Sequence, residues 1–162
     1  MKSTKWYENE EYLSIVSDLL DNDKVKKLDN YVQHHHSTRL KHSINVSYIS
    51  FKIAKKWHLD YKSTARAGLL HDLFYYDWRE VKFDLGSHAF IHPKIALRNA
   101  KKITSLNPIE QDIILKHMWG LTISNPKYKE SLIVSLVDDL EAVTEFSKPL
   151  KRRVRKFINI FN

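Results

Sequence analysis

Apolar residues recur at steps of three and four along most of this chain, a spacing that commits it to helices packed by one face. Tyr12, Ile15, Val16, Leu19 and Leu20 make one stripe, and His42, Val46, Ile49, Ile53 and Trp57 make another with a histidine inside it. The stretch from Lys62 to about Tyr75 is rich in Ala and Leu and reads as a buried helix. Only Gly68, Gly86 and Gly120 are glycines, too few for the tight turns of an all-β chain. The expected fold is all-α, a single-domain bundle of about seven or eight helices, and 162 residues suffice for a real core.

Start and stop signals divide the later part. Asn107-Pro108-Ile109-Glu110 places Asn at the N-cap, Pro in the first position and Glu at the third, a capping box. Asn125-Pro126 and Ser147-Lys148-Pro149 read as similar starts, and Pro93 as the start or first turn of a helix to about Ile103. Gly120 is placed to end the helix that carries His117. Residues 77–87 read as a loop or short turn. The chain has no cysteine, which excludes disulfides and a Cys-based zinc site. No run approaches eighteen apolar residues, and Met-Lys-Ser-Thr-Lys-Trp-Tyr-Glu lacks the apolar core of a signal peptide, so a cytoplasmic protein is expected. Six of the bases behind the net charge of +8 lie in residues 148–162, which hold no acid.

Polar groups sit where the helical pattern demands apolar ones. His42 lies on the stripe with Val46 and Ile49, and Asp138 lies four residues after Val134 and four before Ala142. His117 follows Ile113 and Ile114, and His92 stands at a helix start before Pro93. A buried imidazole or carboxylate is costly unless paired or bound to metal. His71 and Asp72 are adjacent, about 100° apart on a helix, and reach one cavity only if it lies between their directions. A single core histidine is more often hydrogen-bonded to a carbonyl, and a lone His-Asp pair is common by chance. Five helices or helix ends each bringing such a group inward are most simply explained by a shared metal centre.

The order His42, His71-Asp72, Asp138 resembles the signature of the HD superfamily of metal-dependent phosphohydrolases. Thr-Arg-Leu-Lys-His-Ser at 38–43, Ala-Gly-Leu-Leu-His-Asp at 67–72 and Val-Asp-Asp-Leu-Glu at 137–141 fit its local contexts. His-Pro-Lys-Ile-Ala at 92–96 and Ile-Leu-Lys-His-Met-Trp at 114–119 look like the two extra histidines of its binuclear branches. The resemblance covers residues 37–145 as an HD domain; by their own patterning, residues 1–36 are expected to form N-terminal helices packed on it and residues 146–162 a basic amphipathic helix. The resemblance implies two divalent transition metals: one held by His42, His71, Asp72 and Asp138, the other by His92 and His117, with Asp72 bridging. Nitrogen and oxygen ligands without sulfur admit Mn, Fe, Zn, Co or Ni.

Such a site activates water against a phosphate ester or anhydride, with Asp72 as the catalytic residue that positions the nucleophile. The expected substrate is a small phosphorylated molecule, with a nucleotide preferred on the resemblance alone. Arg39, one turn before His42, and Lys94, two residues after His92, are candidate substrate-binding cations, with a solvated surface base an equal reading for Lys94. Lys116 is a weaker candidate, and His88 could be an outlying acid or a spare ligand, with an ordinary surface histidine the more frequent reading. Phe74, Tyr75, Tyr76, Trp78 and Trp119 could stack a base, though packing is the more frequent use of such residues. His34-His35-His36 cannot easily converge on one ion and reads as a solvated loop. The C-terminal stripe Leu150, Val154, Phe157, Ile158 and Phe161 gives residues 148–162 an apolar face for docking on the domain or in a homodimer, with RNA or an anionic surface as an alternative partner. Two rival functions stand beside the hydrolase: a di-iron oxygenase on a similar His/Asp set, and a non-catalytic module that works through the basic helix.

Overall fold

The computed structural model describes residues 5–33, 37–81 and 87–158, with side chains as far as residue 144. Among these residues there are seven α-helices, two short 3-10 segments and no strand. The helices are α1 (Glu10–Leu20), α2 (Asp23–Lys26), α3 (Arg39–Lys56), α4 (Tyr61–Leu70), α5 (His88–Ala100), α6 (Pro108–Lys116) and α7 (Lys129–Ile158). None of them is long and apolar enough to cross a membrane.

α3 and α4 form the central pair. Thr38 caps α3 by accepting from the Lys41 amide, and His58, at φ 55° in the left-handed region, ends it. Asp60 then caps α4 by accepting from the Ser63 amide. The two helices touch closely at Gly68, where a Cβ would stand 2.9 Å from the Ser47 Cα. Ser47 sits in that contact, donating to the Ala65 carbonyl at 2.6 Å and accepting from the Tyr12 hydroxyl of α1 at 2.8 Å. Tyr12, Val16 and Leu19 bury the inner face of α1, while Arg66 of α4 ties its outer edge through Asp18. Ile113 and Ile114 of α6 and Val134 and Val137 of α7 close the core.

Several helix ends differ from the sequence reading. α4 stops at Leu70 rather than near Tyr75, so the His-Asp pair occupies the turn after it. α5 begins at His88, and Pro93 lies inside it, where its missing N–H removes a single rung. α6 has its capping box but ends at Lys116; Gly120, at φ 102°, belongs to the following turn. α7 begins at Lys129, three residues beyond Pro126, where Asp112 of α6 accepts from the Lys127 amide and the Ser131 hydroxyl. The backbone of α7 then runs through Pro149 without a break, so the expected separate helix start at Ser147 is absent. The basic face expected over 148–162, His34 to His36, and Gly86 of the loop lie outside the described side chains.

Candidate metal centre

Helix ends aim the key side chains. His71 is the C-cap of α4 and its Nδ1 faces the Gly68 carbonyl at 2.7 Å. His117 is the C-cap of α6 and its Nδ1 faces the Ile114 carbonyl at 2.9 Å. His92, within α5, sets its Nδ1 2.9 Å from the His88 carbonyl. A carbonyl only accepts, so each of these rings carries a proton on Nδ1 and turns Nε2 inward. Fixing a ring through its far nitrogen in this way is how metal-bound histidines are held.

The Nε2 atoms meet two carboxylates. His92 Nε2 and His117 Nε2 lie 2.8 Å apart, and 3.3 and 3.5 Å from Asp72 Oδ1. Two lone pairs at that separation repel unless a proton or a metal ion lies between them. His71 Nε2 is buried without a hydrogen-bond partner among the described residues, 3.7 Å from Asp72 Oδ2 and 3.6 Å from Asp138 Oδ1. His42 Nε2 lies 2.8 Å from Asp138 Oδ1. The ligand atoms of His42, His71 and Asp72 all fall within 4.8 Å of one another, as do those of Asp72, His92 and His117. Hence all six residues singled out in the sequence come together, and both clusters could hold a metal with Asp72 common to them.

The electrostatics have the same focus. Burial resists ionisation of Asp72 and Asp138, yet the neighbouring histidines hold both well below the usual carboxylate range. Burial works against protonated His71, but Asp72 and Asp138 carry its pKa up to about 9; Asp138 likewise raises that of His42. His117 is lowered, chiefly by burial. Two ionised carboxylates are thus paired with histidines that a divalent cation could replace as their counter-charge.

A cavity of about 370 Å³ opens onto this centre, with Asp72, His92 and Asp138 among its lining residues. Trp78, His88, Met118 and Leu121 wall it, together with Asp139, whose pKa is raised by burial and then by Asp138. His88 is not the surface histidine expected: it is half-buried, stacked on His92 at 4.3 Å and on Trp78 at 5.7 Å. Burial, then His92, brings its pKa down to about 4, so it is neutral at pH 7. Its position four residues before His92, on one helix face, was the signal available in the sequence.

The two substrate-binding cations are placed elsewhere. Arg39 is fully buried, and its guanidinium donates to Gln33 Oε1 at 2.7 Å, the Phe74 carbonyl at 2.7 Å and the Tyr76 carbonyl at 3.2 Å. The step from Arg39 to His42 was read correctly as one turn, but the longer Arg side chain turns under Phe74 instead of into the cavity. Lys94 is exposed on a separate groove with Phe90, Pro93 and Ile123. Lys116 donates to Ser124. No Lys or Arg lines the cavity among the described residues. Of the expected stacking aromatics, Trp78 lines the cavity, Phe74 is core, and Trp119 bonds Asn125 at another surface. Gln33, which the sequence reading passed over, reaches Asp72 Oδ2.

The family model for the HD domain matches residues 39–143, a span that contains all six converging residues. No curated protein and no solved structure matches the chain.

Proposed function

This chain belongs to the HD domain family, and on that premise we propose that it is a metal-dependent phosphohydrolase acting on a phosphate ester or anhydride of a small molecule, a nucleotide first among those to test. The observation that supports this most is the set of three Nδ1-anchored histidines whose Nε2 atoms converge with His42 on Asp72 and Asp138. In this reading His42, His71, Asp72 and Asp138 hold one divalent transition metal, and His92 and His117 hold a second with Asp72 between them. Divalent metals there supply positive charge to phosphoryl oxygens and acidify water as a nucleophile.

The chain's own residues provide the remainder. Asp72 sits at the cavity floor, where its carboxylate orients the attacking water towards a phosphorus held above it. Trp78, Leu121 and Met118 give the cavity an apolar wall against which a substrate could pack. No Lys or Arg lines the cavity among the described residues, and in this reading metals at the two clusters would meet the phosphate charge.

Metal content per chain tests the reading, on protein made with several transition metals and purified without chelator. Wild type is expected to hold about two ions, His92→Ala/His117→Ala about one, and Asp72→Ala little. Phosphate release from a panel of nucleotides and phosphate esters should then follow metal content. Iron with oxygen uptake and no phosphate release would replace the hydrolase with an oxygenase. Wild type that stays metal-free on reconstitution would leave the basic C-terminal segment as the working part.

A further inference from the structure

We propose that Gln33 and Arg39 form a positioning relay that fixes the Asp72 carboxylate for its metals, an assignment that rests on the metal-centre reading above. Gln33 Nε2 donates to Asp72 Oδ2 at 2.5 Å while Gln33 Oε1 accepts from Arg39 Nε at 2.7 Å. The two ends of an amide look alike in shape, and here the chemistry chooses between them. An arginine only donates, so the oxygen of Gln33 must face Arg39 and its NH₂ must face Asp72.

Arg39 is itself held against rotation. It is 0 % exposed, with its ring-facing side 3.6 Å from the Phe74 centroid and its two terminal nitrogens on the carbonyls of Phe74 and Tyr76. Those carbonyls follow Asp72 in the chain by two and four residues, so the guanidinium clamps the very turn that presents the carboxylate. The approach of Gln33 is fixed from the other side. Val32 pairs with Thr38, the Gln33 amide donates to the Ser37 carbonyl at 2.9 Å, and the Arg39 amide donates to the Tyr31 carbonyl at 2.7 Å.

The consequence is a division of the Asp72 oxygens. Oδ2 receives the Gln33 N–H and lies on the His71 side, whereas Oδ1 lies on the side of His92 and His117. A carboxylate that must serve two positions loses both if it rotates, and the relay prevents that rotation. Outer-shell partners of this kind are worth about 10- to 100-fold in metal affinity. Lysine cannot substitute for Arg39, because a single ammonium lacks the planar fork that reaches Gln33 and two carbonyls together.

The test is Mn²⁺ binding by the full chain, measured by titration in the absence of substrate. Gln33→Met and Arg39→Lys are each expected to weaken Mn²⁺ binding at both positions by about 10- to 100-fold, and the double variant to fall short of the product of the two losses, since Arg39 acts on Asp72 in part through Gln33. Melting of the chelator-treated proteins checks that each variant folds, with Gln33→Ala taking the place of Gln33→Met if the latter does not. Gln33→Met with wild-type Mn²⁺ affinity, or losses that multiply in the double variant, would overturn the relay while leaving the metal centre standing. Wild type that binds no Mn²⁺, Fe²⁺, Co²⁺ or Zn²⁺ would instead remove the metal centre and the relay with it.

Discussion

At the scale of the residue, Gly68 governs the distance between two halves of the centre. It stands where α4 crosses α3, and a Cβ there would meet the Ser47 Cα at 2.9 Å. Backbone cannot yield as a flexible side chain does, so Gly68→Ala must push the helices apart. His42 is on one of them, and His71 and Asp72 end the other. Overpacking of this size costs about 1–3 kcal/mol. Denaturant unfolding should show that loss, and metal titration should show weaker binding in the folded variant. Wild-type affinity in a destabilised Gly68→Ala would mean that the centre tolerates a wider spacing.

His42, His117 and Asp138 were legible as polar groups on apolar stripes, where burial has a cost that only a partner removes, whereas His71, Asp72 and His92 were legible through the family resemblance of their local motifs. Arg39 and Gln33 were not. Periodicity gives the face on which a side chain starts, and Arg39 does start beside His42; it does not say that a long chain will bend back to two carbonyls. Gln33 lies outside any helix, in a loop whose closure depends on the Tyr31 and Ser37 carbonyls. Nothing in residue spacing encodes that.

At the scale of the element, helix ends carry more of the chemistry than helix faces. His71 and His117 both occupy C-caps and both turn Nδ1 to the carbonyl three residues back. A helix end leaves carbonyls without intrahelical donors, so each ring satisfies one of them and is aimed by the same bond. The sequence placed His71-Asp72 within a helix, because Leu73 and Phe74 continue the apolar run; they are apolar as core residues of the turn. The capping box at Asn107, by contrast, is fully encoded locally and is present. Asn107→Ala would remove the acceptor for the Glu110 amide and the donor to Ser63 Oγ. A loss of about 1–2 kcal/mol by urea unfolding is expected, with metal stoichiometry unchanged because the cap is at the far end of α6 from His117.

At the scale of the molecule, α3, α5, α6, α7 and the end of α4 all deliver a ligand candidate to one point, so a cation at that point joins elements distant in sequence. In the metal-free chain the neighbouring histidines hold the two buried carboxylates below their ordinary range, and a metal would take over that role with the histidines as neutral ligands. Metal that binds the folded chain alone adds about 4 kcal/mol when free ion is a thousand times Kd. For a domain of this size that is about 8–16 °C in Tm at roughly 2–4 °C per kcal/mol. Chelation of wild type should therefore lower Tm by that order, and readdition should restore it. Asp72→Ala should show no metal-dependent shift. In the metal-free state it should melt below wild type, since it loses a carboxylate that the histidines and Gln33 hold ionised. If chelation left the Tm of wild type unchanged while metal-free Asp72→Ala melted far below it, the histidines and Gln33 would hold Asp72 as a structural ion-pair network, and the centre would not need a metal to be stable.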